Sequence, residues 1–156
     1  GVTFLDWTKQ GPVSKSAMYW LVRAGGAGHA RAQRILGVLY LRGKSELSDR
    51  QVAIRKGIEW LALAMRAGDV EATYWVGLLY LKGEYLPRKP EKGRQLLVRA
   101  ALNGHPDAGY RLARDLAGTD PAAVKNHQAA LRWMRYAAER GSGAALEVIG
   151  KVDAVD

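Results

Sequence analysis

The sequence predicts an all-α fold, a right-handed α-solenoid of stacked antiparallel helix pairs, and two observations predict it. The first is a long period. Gly28, Gly68, Gly104 and Gly141 follow one another at intervals of 40, 36 and 37 residues. Ala32, Ala72, Ala108 and Ala145 keep the same intervals, and so do Gly37, Gly77, Ala113 and Gly150. Spacings of this length mark repeat arrays, in which each unit buries its apolar face only against its neighbours. The second observation is helical spacing inside each period. Ala32, Leu36, Leu39 and Tyr40 lie at i, i+4, i+7 and i+8, one face of a helix, and Ala72, Val76, Leu79 and Tyr80 repeat them.

Taken in order, residues 1–28 form a partial repeat that caps the array. Phe4, Leu5 and Trp7 suit a short helix over Thr3–Lys9, and a second helix is expected near 14–27. Gly25 and Gly26 fall where alanine is preferred, at about 1 kcal/mol each, so that helix is expected to fray or end early. The first full repeat, 29–68, holds helices near 29–42 and 50–67. Gly43 closes the first of these in the place a left-handed residue is wanted, before the Lys44–Arg50 loop. The second repeat, 69–104, holds helices near 69–82 and 90–103. Gly83 closes one, and Pro90 opens the other, where a missing N–H costs nothing. The third repeat, 105–141, has helices near 106–117 and 126–140, and 142–156 begins a further repeat with a helix near 142–149. Trp20, Trp60 and Trp133 share a column, with Leu96 in the fourth place, and four residues on stand Ala24, Ala64, Ala100 and Ala137. Large rings beside small alanines let helix axes approach closely, so the tryptophan column is expected to be core. Tyr40 and Tyr80 belong to the packing pattern, whereas Tyr74, Trp75 and Tyr110 belong to no repeated apolar column.

Composition excludes several classes. The 156 residues suit one domain or a short array, and 48% apolar with 25% charged residues argues against disorder. No run approaches the roughly 18 apolar residues a membrane span needs. Gly1 to Leu5 carry no basic leader, and the absence of cysteine excludes disulfides and thiolate metal sites. Cytoplasm and bacterial periplasm or envelope both stay open. The net charge of +9 is spread along the chain. Even in the densest stretch, Arg88, Lys89, Lys92 and Arg94 are interrupted by Glu84 and Glu91. That dispersion reads as solvated surface, with room for an anionic partner but against specific nucleic-acid recognition.

The candidate chemistry is thin. His29 and His105 share a column with Asp69 and Ser142, which are N-cap types, so these imidazoles mark helix starts rather than a metal site. His127 is expected to be exposed. There is no G-x-S-x-G, no serine with a companion histidine and no paired carboxylates, with Asp115 and Glu139 on different elements. The run Gly25-Gly26-Ala27-Gly28 lacks the lysine and hydroxyl of a phosphate loop. No catalytic, cofactor or metal residue is assigned.

The columns resemble the Sel1-like repeat family, a relative of the tetratricopeptide repeats, and the resemblance points to a bacterial protein. Ala32 followed by Leu36-Gly37-Val38-Leu39-Tyr40-Leu41-Arg42-Gly43 matches its first-helix signature, and Ala72 with Val76-Gly77-Leu78-Leu79-Tyr80-Leu81-Lys82-Gly83 matches again. The second-helix signature stands as Lys92-Gly93, Leu96, Ala100-Ala101 and Gly104, then as Ala130, Trp133, Ala137-Ala138 and Gly141. The resemblance covers residues 14 to 150. The third repeat departs from it, with Leu112-Ala113-Arg114-Asp115-Leu116 where the family favours L-G-x-L-Y.

The resemblance implies a non-catalytic adaptor or scaffold whose first helices line a concave face that holds a protein or peptide partner. On that reading the exposed lining is Arg31, Arg34 and Val38, then Glu71, Tyr74 and Leu78, then Asp107, Tyr110 and Arg114. Tyrosine and arginine are the types that most often carry interface energy. Two other readings stay open: an immunity or inhibitor protein against a secreted bacterial effector, and an envelope enzyme or ligand-binding protein. The lack of cysteine weighs against the last.

Overall fold

A computed structural model describes residues 13–45, 47–119 and 124–153, and among these it contains eight helices and no strand. They are α1 (Lys15–Gly26), α2 (Ala30–Leu41), α3 (Arg50–Arg66), α4 (Val70–Lys82), α5 (Pro90–Leu102), α6 (Ala108–Thr119), α7 (Val124–Glu139) and α8 (Gly143–Asp153). The short helix expected over Thr3–Lys9 lies outside the described residues.

The helix ends follow local chemistry. Ser14 Oγ accepts from the Ala17 amide at 3.2 Å and opens α1, while Asp49 Oδ1 takes the Gln51 and Val52 amides at 2.9 and 3.2 Å and opens α3. In the column of helix starts, Asp69 and Ser142 cap as expected, accepting from Ala72 and Ala145 at 2.8 and 3.3 Å. His29 stands at the N-cap of α2 without a side-chain bond. The His105 ring accepts from the Asp107 amide at 3.1 Å, and α6 starts two residues later than expected, at Ala108. Gly28, Gly68, Gly104 and Gly141 all hold φ near +90°, which is why that column is glycine.

The chain divides into two compact units, Gly1–Val76 and Gly77–Asp156, with the division inside α4. In the first unit α2 packs against α1 and α3. Leu36, Tyr40 and Ala53 are buried there, and Met18, Leu21 and Trp60 close over them. The α2–α3 crossing is tight: a Cβ at Gly57 would stand 2.8 Å from the Gly37 carbonyl oxygen, and one at Gly37 would stand 2.5 Å from Leu61 Cγ. The early end that the glycines of α1 suggested does not occur, since α1 runs through Gly26. A Cβ at Gly25 would meet the Trp60 ring at 3.0 Å, so the glycine there makes room for the indole.

In the second unit α4 meets α5 through Gly77 and Gly93, where the same close approach recurs at 2.8 to 3.3 Å. Further along, α7 packs against α6 and α8 around Ala113, Ala130, Met134, Ala137 and Ala145. Tyr136 donates to the Ala101 carbonyl at 3.1 Å, and Arg94 joins α5 to α6 by a 2.6 Å bond to Asp115.

The tryptophan column is less uniform than expected. Trp60 and Trp133 are half-buried and pack on the two cores. Trp20 is 63% exposed, with its ring edge-on to Tyr19 at 5.3 Å. Trp20 lies on α1, the first helix among the described residues.

Candidate binding site

The nine expected lining residues separate into two groups. In the first unit Val38 is 1% exposed and Tyr74 is 8% exposed, so neither can line a surface, and that expectation is corrected. The cause is the length of the apolar run. From Leu36 to Leu41 every residue of α2 is buried, and a stretch of helix that is apolar all round has no outer face to offer. Tyr74 sits in a similar run, Tyr74-Trp75-Val76-Gly77-Leu78-Leu79. Arg34 is half-buried, its Nε 3.1 Å from Asp69 Oδ1, the carboxylate that also caps α4. Glu71 is half-buried and Arg31 is exposed.

The second unit brings its share together. Helix α6 is amphipathic, and Tyr110 and Arg114 lie one turn apart on it, the guanidinium 5.8 Å from the ring centroid. Both line a cavity of about 410 Å³ whose other walls include Ala113, Ala117, Ala130 and Met134, with Leu131, His127 and Val148 completing the rim. His127 is exposed, as expected, and so is Leu131. Arg114 also borders a second hollow of about 250 Å³, which Leu78, Leu81, Lys82, Arg111 and Asp115 complete. Asp107 is exposed at the start of α6 and lines neither hollow.

The larger cavity has a cause that can be read in columns. Gly37, Leu41, Gly57 and Leu61 form the tight crossing of the first unit, and Gly77, Leu81, Gly93 and Leu97 form that of the next repeat. The same four columns in the third repeat are Ala113, Ala117, Ala130 and Met134. Two alanine methyls now occupy places where backbone had approached to within 3.3 Å of a Cβ position, and the close approach of α6 to α7 falls instead at Gly109, where a Cβ would stand 3.3 Å from the Trp133 carbonyl oxygen. At Ala117 an isobutyl group has become a methyl, which removes the side chain that filled the crossing. The residues missed as site residues, Ala117, Ala130 and Met134, therefore announce themselves as departures from the repeat.

Among the described residues no three His, Asp or Glu side chains gather as a metal site, and no helix is long and apolar enough to cross a membrane. The site offers an apolar recess with a cationic edge and no nucleophile paired with a base.

Helix pairs stacked by a repeating seam, with a lined recess in place of a reactive constellation, define a helical repeat protein of the α-solenoid class. The sequence matches the Sel1 repeat model three times, over residues 30–69, 70–105 and 106–142, and the chain belongs to the Sel1 repeat family. Among solved structures it is similar to a protective antigen of uropathogenic Escherichia coli that displays an SLR fold. Identity is 27% and the TM-score 0.74, over 86% of this chain and 28% of that one. It also shares the fold of a Sel1 repeat protein from Oxalobacter formigenes, at 24% identity and a TM-score of 0.70, over 86% of this chain and 98% of that one. A search of curated proteins returns no match. Sel1 repeat proteins generally mediate protein–protein interaction, and their fold is typically that of a non-enzymatic scaffold.

Proposed function

We propose that this chain is a non-catalytic interaction module that holds a protein or peptide segment against the face of α6 in its second unit. The observation that supports this most is the apolar recess under Tyr110, bordered by exposed Arg114 and Leu131. Large apolar side chains left at the mouth of a cavity are what a partner's anchor residue covers. Of the lining read from the sequence, Tyr110 and Arg114 belong to this recess, and Leu78 lines the hollow beside it. The buried positions Val38 and Tyr74 do not, and Arg34 serves the start of α4.

The test is photo-crosslinking. A photoreactive residue at Leu131, and separately at Arg31 in the other unit, is irradiated in bacterial extract, and the adducts are identified by mass spectrometry. A single protein captured at Leu131 supports the reading, and a tight one-to-one complex that abolishes the activity of a secreted effector would favour the inhibitor reading instead. A chain that captures nothing from either site, or that turns over a small molecule, would sink it.

A further inference from the structure

We propose that the recess and the basic shelf beside it form one docking site for a peptide carrying a bulky apolar residue next to a cluster of acidic residues. This rests on the interaction reading above and gives it a place and a partner chemistry. The recess, about 410 Å³, lies near the lower end of the range of roughly 300–1,000 Å³ typical of ligand pockets. Its walls at Ala113, Ala117, Ala130 and Met134 are aliphatic, so it takes one large side chain and can satisfy few polar atoms within it.

Charge selects the rest of the partner. The shelf shares Arg114 with the recess and adds Lys82 and Arg111, all three exposed. The carboxylate on that shelf, Asp115, is engaged by Arg94 at 2.6 Å, a guanidinium it shares with Glu91, so three exposed cations outnumber the one acid of the shelf. Arginine forks match carboxylates in a bidentate geometry, and such charge-assisted bonds are stronger than neutral ones. A net charge of +9 draws acidic segments towards the chain in addition. Nucleic acid would also answer the positive charge, but single strands are held by several stacked bases in succession, and Tyr110 is one ring among mainly aliphatic walls.

The probes are two fluorescein-labelled decapeptides, each with one phenylalanine and three glutamates in a glycine–serine background. The glutamates precede the phenylalanine in one and follow it in the other. Fluorescence anisotropy against the full chain is expected to show saturable, salt-sensitive binding of at least one. Replacing its phenylalanine by serine is expected to weaken binding at least about tenfold. Ala117→Leu restores the leucine of the tighter crossings and fills the recess, and the same loss is expected with no fall in melting temperature. Arg111→Glu with Arg114→Glu is expected to abolish binding of the acidic peptide and to admit one with lysines in place of glutamates. Failure of both peptides, or equal binding of the serine peptide, would overturn the proposal. So would displacement of the peptide by an oligothymidylate that binds more tightly. A protein captured in the crosslinking experiment at Arg31 alone would leave the interaction reading standing while this site falls.

Discussion

The glycine crossings give the most direct test of why this chain folds as it does. In Gly37→Ala the new methyl would stand 2.5 Å from Leu61 Cγ and 2.9 Å from the Gly57 carbonyl oxygen. Neither neighbour yields easily, because Leu61 is fully buried and the carbonyl belongs to α3. Forcing a methylene-sized group into a packed seam costs about 1–3 kcal/mol, and the backbone contact argues for the upper part. Alanine returns about 1 kcal/mol in helix propensity, which leaves a net loss of about 1–2 kcal/mol. Gly150→Ala is the internal control. It also sits inside a helix, α8, yet a Cβ there meets nothing within 4 Å, so only the propensity gain of up to about 1 kcal/mol remains. Urea unfolding followed by circular dichroism reads both. With a slope of about 2 kcal/mol per molar urea, Gly37→Ala lowers the midpoint by about 0.5–1 M, whereas Gly150→Ala leaves it unchanged or raises it. A Gly37→Ala protein as stable as wild type would show that the crossing is not the constraint the distances imply.

The column tryptophans should separate by burial. Trp60→Ala and Trp133→Ala are expected to cost about 2–3 kcal/mol in denaturant melts, below the full-burial range, and Trp20→Ala less than about 1 kcal/mol. Equal losses at all three positions would contradict the exposure of Trp20. Tyr74→Ala should destabilise by about 3 kcal/mol as a core truncation, so a loss of partner binding in that variant follows from unfolding and is checked by its melting temperature. Asp69→Ala removes both the cap of α4 and the Arg34 ion pair, with an expected cost of about 1–2 kcal/mol. A variant within error of wild type would assign both interactions to solvent-screened surface.

The helices were legible because each repeat states them again. Ala32, Ala72 and Ala108 fix the phase of the first helices, and Pro90 in its first turn fixes the start of one second helix. What misled was a rule transferred from a signature to a surface. Val38 and Tyr74 occupy offsets that point outward in an amphipathic helix, but each stands in an unbroken apolar run of its helix. The local run Leu36 to Leu41 carried that warning, and α6, with Arg111, Arg114 and Asp115 interleaved among apolar residues, carried the opposite one. Trp20 was misread for a different reason. Column membership reports what a position packs against inside the array, and it is silent on whether a second wall is present.

The recess was legible in another sense, as an error in the pattern. A repeat whose seam is glycine against glycine, with a leucine folded over each, has no interior space to offer. Repeats that keep that seam bind, if at all, by their outer residues. In the third repeat three of the four seam positions became alanine and the fourth methionine. Each change alone costs packing. Together they move the close approach of α6 and α7 to Gly109 and leave a recess beside it, where α6 also turns basic. Loss of consensus and gain of a binding feature then have the same physical origin. Ala117→Leu tests this directly, because one substitution should raise stability through restored packing and lower affinity through lost volume. If the variant bound a partner as wild type does while melting higher, the departure from the repeat would be erosion alone.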